Sequence, residues 1–127
     1  MKFLLLALLL STTTYSIDGY DTSCEHQGEV KTKDFHGIRK ITIELDTHNK
    51  KFFLTDQKLP YRQHSTELRY SGYYLHYPGG IQLIDTNFGE MHLGNMDLAS
   101  FTGIRHNFYY ISDRPKKFET FCNPEFD

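Results

Sequence analysis

Histidine is the residue type in this sequence best suited to acid–base or metal chemistry, because its ring titrates near neutral pH and ligates metal ions. The chain has seven, and no two form a His-x-His or His-x-x-x-His pair. The acidic residues do not follow the pattern of a calcium-binding loop either. The sequence therefore predicts no metal site and no cofactor. The histidines are His26, His36, His48, His64, His76, His92 and His106.

Two of these histidines stand in aromatic, strand-like segments. His76 lies within "SGYYLHYPGG", and His106 follows Arg105 in "GIRHN". Two imidazoles could act as acid and base on a phosphodiester, while a neighbouring guanidinium stabilises the charge that develops. Packing is the competing interpretation, because one face of such a strand is usually core, and a histidine among apolar residues is more often packed than catalytic.

The first residues have the layout of a secretory signal peptide. Lys2 precedes the apolar run Phe3–Leu10, and Thr14 and Ser16 supply the small residues of a cleavage site. The run is far shorter than the roughly 20 residues that a membrane-spanning helix needs. We therefore predict a signal peptide at 1–16, a single secreted domain at 17–127, and no membrane partner.

Cys24 and Cys122 are the only cysteines, and they lie near the two ends of the predicted domain. An even cysteine count in a secreted chain predicts a disulfide. Such a bridge typically stabilises a small secreted domain by about 2–5 kcal/mol.

The charge of the chain gives little sign of a nucleic-acid partner, since its formal net value is −2. A local basic face stays open as an alternative to scattered solvated charges. Its members would be Arg62, Arg69, Arg105, Arg114, Lys116 and Lys117.

The segment 31–54 has two local interpretations. Apolar residues at Phe35, Ile38, Ile41 and Leu45 have helical spacing, which predicts a helix. However, Ile41 and Leu45 also alternate with Ile43 as in a strand, and 47–49 would then be the turn of a hairpin. Local pattern alone leaves helix and hairpin open.

The second half of the chain reads as short strands separated by close turns, which is typical of an antiparallel sheet. Pro78-Gly79-Gly80 is the clearest stop between two of them. The predicted strands are Glu67–Tyr77, Gly80–Asp85, Phe88–Gly94, Ser100–Ser112 and Lys116–Cys122.

The order of several short motifs resembles that of the small fungal guanyl ribonucleases and, more closely, of the ribonuclease-like secreted effectors of powdery mildew fungi. The segment 48–57 has no counterpart in that pattern. The motifs are "GYDTSC" with Tyr20 and Cys24, "LPYRQH" (59–64), the aromatic strand 73–78, "FTGIRHN" (101–107) and "FETFC" (118–122).

The resemblance implies an α+β fold in which one helix packs on a curved antiparallel sheet, with a disulfide joining the two ends. It shifts the interpretation of Lys31–Leu45 toward helix. An all-β sandwich is the alternative fold.

The resemblance also implies where catalytic groups would stand, and this chain lacks two of them. The base should be a glutamate within 73–78, and the strands 89–94 and 94–99 should supply an arginine, but neither residue is present there. Loss of one member of a cooperating site removes most of the rate. We therefore predict no enzyme activity and no catalytic residues, and place Tyr61, His76, Arg105 and His106 in a binding groove.

The predicted function is that of a catalytically inactive, secreted effector that enters a plant host cell. It would act as a monomer by binding a host protein, including an immune receptor, or by binding RNA weakly. Two alternatives belong to other classes: an active extracellular ribonuclease, using His76 and His106, and a small secreted β-domain that binds a lipid or a protein.

Overall fold

The computed structural model describes residues 19–98, 104–114 and 116–126, so the predicted signal peptide lies outside the described residues. Its elements are β1 (Thr22–Lys31), β2 (His36–Asp46), β3 (Lys51–Pro60), β4 (Thr66–Tyr77), β5 (Gly80–Asp85), β6 (Met91–Asp97), β7 (Arg105–Tyr110), the 3-10 turn η1 (Ile111–Asp113) and β8 (Phe118–Asn123). Each strand pairs antiparallel with the next, and β8 returns to β1. The sheet is therefore a closed barrel.

The predicted α+β fold is wrong, because the described residues contain no helix longer than the three-residue η1. The alternative, an all-β sandwich, is right in being all-β but wrong in its arrangement, since a single sheet closes on itself. The segment Lys31–Leu45, which the resemblance turned into a helix, spans the end of β1 and most of β2.

Alternation rather than helical spacing decides the structure of 36–60. Ile41, Ile43 and Leu45 are all fully buried on the inner face of β2. Across the ladder, Leu54 of β3 lies opposite Ile43, and Phe52 lies opposite Leu45, both also fully buried. A strand places all five side chains on one face, whereas a helix would direct Ile43 away from the others.

Asp46 builds the turn between β2 and β3. Its Oδ1 accepts hydrogen bonds from the backbone N–H groups of His48 and Asn49, both at 3.0 Å. Its Oδ2 accepts a third bond from Asn49 Nδ2 at 2.9 Å. Lys50 then takes a left-handed conformation with φ of 57°. Of the two local interpretations of this segment, helix and hairpin, the hairpin is therefore the correct one.

The strand predictions for the second half are largely confirmed. The segments Glu67–Tyr77 and Gly80–Asp85 are β4 and β5 to within one residue, and Lys116–Cys122 contains most of β8. The prediction Phe88–Gly94 is displaced, because β6 begins only at Met91. Residues 100–103 of the predicted strand Ser100–Ser112 lie outside the described residues, and its described part contains β7 and the start of η1.

The Cys24–Cys122 disulfide is confirmed. The two cysteines face each other directly in the β1–β8 ladder, which has three residue pairs, against ten between β1 and β2. The bridge therefore reinforces the shortest pairing of the barrel, where β8 closes onto β1.

The barrel has two distinct ends. What we call the terminal end carries the chain segments 19–21 and 124–126 together with the loops 47–50 and 78–79. The far end carries the loops 32–35, 61–65 and 86–90 and the segment 111–114.

The two halves of the barrel differ in length. Strands β1–β4 have 10 to 12 residues, whereas β5–β8 have 6 or 7. As a result β4 pairs with β3 from Thr66 onward but with β5 only from Gly72 onward. The first four strands therefore extend beyond the other four at the far end.

Candidate functional site

The four predicted binding residues do not share one surface. Tyr61 lies in the β3–β4 loop at the far end, while the other three lie near the terminal end. His76 and Phe126 line the same groove, whereas His106, whose ring centroid lies 6.2 Å from that of Phe126, is not among the residues that line it.

His106 lies on the inner face of β7 and is only 2% exposed. Its ring centroid is 6.2 Å from that of Phe126. At this degree of burial the imidazole is closed to a phosphodiester unless neighbouring groups move. The geometry therefore gives no support to an acid–base pair of His76 and His106, and it agrees with the packing interpretation of His106.

Arg105 points to the outer surface of β7. Its Nε lies 3.5 Å from Glu119 Oε2, and its guanidinium lies 5.3 Å from the ring centre of Phe121. Two more cations of the predicted basic face are also paired with acids, Arg69 with Glu67 and Lys117 with Asp97. These pairs interrupt any continuous positive surface.

Tyr61 belongs to a small polar cluster on the outside of the far end. Its hydroxyl donates to Glu29 Oε2 at 3.2 Å, and His36 Nε2 lies 3.2 Å from the same oxygen. The rings of His36 and Tyr61 meet edge to face with centroids 4.8 Å apart. A shallow cleft of about 350 Å³ lies beside this cluster, between the loops that precede β2 and follow β3.

The barrel interior holds an ion pair that sequence reasoning missed. Arg39 donates to both oxygens of Asp56, at 3.0 and 2.7 Å, and Tyr110 Oη donates to the second at 2.6 Å. Burial and the Asp56 carboxylate together raise the pKa of Tyr110. The sequence did contain a signal for this pair. Arg39 stands two residues before the inward-facing Ile41, and Asp56 stands two residues after the inward-facing Leu54, so the alternation places both charged side chains on the inner face.

The groove at the terminal end has a volume of about 390 Å³. Tyr74 on its wall is 2% exposed, and its Oη makes no hydrogen bond within the described residues. His76, one of the four predicted binding residues, lies next to Tyr74, and their ring centroids are 5.6 Å apart. The groove is lined by Asp21, Thr22, Thr47, Lys50, Tyr74, His76, Pro124, Glu125 and Phe126.

The far end presents an open strand edge. On the side away from β3, the stretch 66–70 of β4 pairs with no strand of the described residues, because the β4–β5 ladder begins at Gly72. Ser71 marks the limit: its N–H donates to Asp85 Oδ1 at 3.2 Å, and its carbonyl accepts from Thr86 N–H at 2.9 Å. From Tyr70 back to Thr66, no described strand pairs with this side of β4.

The direction of the backbone groups at this edge follows from two contacts. Ser71 uses both of its backbone groups on the β5 side, while Tyr74 N–H donates to Lys50 on the β3 side, at 3.0 Å. In an antiparallel strand, alternate residues direct both groups to the same neighbour. Glu67 and Arg69 therefore direct their N–H and C=O groups outward from the open edge.

No protein-family model, curated protein or solved structure matches this chain. The resemblance to ribonuclease-like effectors therefore stays a prediction, and the fold that it implied is wrong.

Within residues 19–98, 104–114 and 116–126, no helix has the length and apolarity that crossing a membrane would require. Nor do three His, Cys, Asp or Glu side chains within those ranges come together as a metal ion would need.

Proposed function

We propose that this chain is a secreted, non-enzymatic binding protein that takes up an extended segment of a partner protein along the open edge of β4. The observation that carries this proposal is the pair of outward-directed backbone positions, Glu67 and Arg69, in a strand whose outer side has no partner in the described part of the chain. A free strand edge is a template on which another chain can add a strand. A host protein, as the sequence resemblance implied, is one such partner.

Apolar side chains flank this edge. Leu68 is 56% exposed in its middle, and Phe88 in the β5–β6 loop is 97% exposed. That loop is held beside the edge, because Ser71 Oγ donates to Asn87 Oδ1 at 3.0 Å. Tyr61, also exposed, lies in the loop that leads into β4. Exposed apolar groups beside an open edge would supply the side-chain contacts that give such binding its specificity.

The filled interior favours a partner at the surface over a lipid inside the barrel. Phe52, Tyr74 and Phe108 are among the largest fully buried side chains, and they project into it from three different strands. An acyl chain would have to displace this packing. A protein segment on the β4 edge displaces nothing.

The test uses a phage-displayed library of random heptapeptides selected against the immobilised, oxidised protein. We expect enriched peptides to protect the amide protons of Glu67 and Arg69 from hydrogen exchange, as measured by NMR. In Arg69→Pro, which removes one outward N–H at a position where an edge strand tolerates proline, affinity should fall about tenfold or more.

Arg69→Ala and Glu67→Ala are the matched controls, because they keep every backbone donor and change only exposed side chains. Both should bind the peptides within about threefold of the unmodified protein, since exposed ion pairs contribute little. Equal binding by Arg69→Pro, or unchanged exchange at Glu67 and Arg69, would overturn the proposal. So would protection of those amides by concentration-dependent dimerisation, because the edge would then serve a second copy of the chain.

A further inference from the structure

The unpaired hydroxyl of Tyr74 is the starting point for a second, independent site at the opposite end of the barrel. A buried hydroxyl without a partner costs free energy, so nearly all such groups in folded proteins have one. Tyr74 lines the groove of the terminal end, and its buried Oη has no hydrogen-bond partner among the described residues. A polar partner for this hydroxyl is therefore missing from the described part of the groove.

The charge around the groove is predominantly negative. Asp21 and Glu125 line it, and Asp46 is close enough to act on Tyr74 electrostatically, whereas Lys50 is the one cationic side chain in the lining. Lys50 Nζ is already directed at the carbonyl oxygen of Thr47, 3.2 Å away. This environment favours a positively charged group over an anion.

The state of the Tyr74 hydroxyl agrees with that preference. Burial, followed by the charges of Asp21 and Asp46, raises the pKa of Tyr74 to about 12. The hydroxyl therefore keeps its proton at neutral pH and can accept a hydrogen bond on its oxygen.

Aromatic rings form the other wall. The centroids of Tyr74 and Phe126 are 6.3 Å apart and those of Tyr74 and His76 are 5.6 Å apart, both edge to face. Aromatic faces attract cations and also contact the alkyl chain that carries them.

We propose that the groove at the terminal end binds a primary ammonium group on an alkyl chain. The ammonium donates a hydrogen bond to Tyr74 Oη, Asp21 and Glu125 balance its charge, and the alkyl chain lies against His76 and Phe126. A free alkylamine and a lysine side chain of another protein share this chemistry. The site lies at the other end of the barrel from the β4 edge and does not depend on it.

The experiment titrates the oxidised protein with n-butylammonium at constant ionic strength and follows the NMR signals of His76 and Phe126. We expect saturable shifts at these two residues. Tetramethylammonium, which has the charge but no N–H donor, should bind at least about fivefold more weakly, because it cannot satisfy Tyr74 Oη. Sodium acetate should produce no saturable shift.

Two variants separate the hydroxyl from the rest of the ring. Tyr74→Phe removes only Oη and should weaken n-butylammonium binding about tenfold. Tyr73→Phe, its neighbour on the same strand, does not line the groove and should leave the affinity unchanged. Lys50→Gln should tighten binding, because it removes the competing cation.

The peptide acetyl-Gly-Lys-Gly-amide distinguishes the two sources of the ammonium group. Tighter binding than n-butylammonium would assign the site to a lysine of a partner protein, and weaker binding would assign it to a free amine. The proposal is overturned if neither ligand saturates, which would mean that water alone fills the groove. Equal affinity of Tyr74→Phe, or of tetramethylammonium, would overturn it as well.

Discussion

The two ends of the barrel differ in how completely the chain closes them. At the terminal end, the disulfide joins β1 to β8, Asp46 holds the β2–β3 turn, and the ring of Phe126 lies 6.2 Å from that of His106. At the far end, strands β1–β4 extend past the rest, and the stretch 66–70 has no strand on its outer side in the described residues.

The ends also differ in what they leave unpaired. Within the described residues, the terminal end leaves the buried hydroxyl of Tyr74 unpaired beside a groove of about 390 Å³, a size that suits a small group. The far end leaves backbone donors and acceptors along an exposed strand, which suits another chain. The more closed terminal end therefore suits a small ligand, whereas the open far end suits a second polypeptide segment.

The far end depends on the interior ion pair, and breaking that pair should have the largest effect on stability. Asp56→Ala leaves the largely buried Arg39 without its carboxylate partner and removes the acceptor of Tyr110. Loss of one partner of a buried ion pair typically costs roughly 3–5 kcal/mol. We expect a fall of this size in the free energy of unfolding, measured by urea denaturation.

Tyr110→Phe is the control for this change, since it deletes one hydrogen bond to Asp56 and keeps the ion pair. It should cost less than Asp56→Ala. If Asp56→Ala cost under about 1 kcal/mol, the pair would be incidental and the far end would be held by other contacts.

The terminal end depends on the disulfide, whose loss should have the second-largest effect. The double variant Cys24→Ala, Cys122→Ala should lower the free energy of unfolding by about 2–5 kcal/mol, chiefly because the unfolded chain regains freedom. Hydrogen exchange should accelerate first in β1 and β8, where three residue pairs close the barrel. Alkylation of both thiols in the unreduced protein would contradict the pairing.

The sequence predicted strands best where a run of strand-forming residues is bounded by residues that end a strand. Strand β5 was predicted to the residue because Pro78-Gly79-Gly80 and the turn at Thr86 bound it on both sides. The segment Lys31–Leu45 was predicted wrongly because its apolar residues fit two periods, and the resemblance favoured the wrong one. The buried neighbours that decide it, Phe52 and Leu54, lie in the next strand.

The sites could be predicted only in part. His76 does line the groove, but nothing local distinguishes Tyr74 from Tyr73 as the tyrosine whose hydroxyl lies unpaired beside it. That difference arises where the C-terminal segment 124–126 meets β4, far away in the sequence. The open edge at Glu67 and Arg69 is likewise a product of unequal strand lengths and has no local signature.

The smallest effect we predict is on the stability of the protein at low pH, and it arises from the Asp46 turn at the terminal end. Hydrogen bonds from the backbone and side chain of Asn49, with a further backbone bond from His48, lower the pKa of Asp46. A carboxyl group whose pKa is lowered by folding contributes stability above its unfolded pKa of about 4, and this contribution is lost as pH falls through the folded value. Unfolding free energy should therefore fall less between pH 5 and pH 2 in Asp46→Asn than in the unmodified protein. Asn49→Ala keeps the carboxylate but removes its side-chain donor, so it should also weaken the dependence of the unfolding free energy on pH. If both variants lost as much stability between pH 5 and pH 2 as the unmodified protein, the acid sensitivity would not come from Asp46 in this turn.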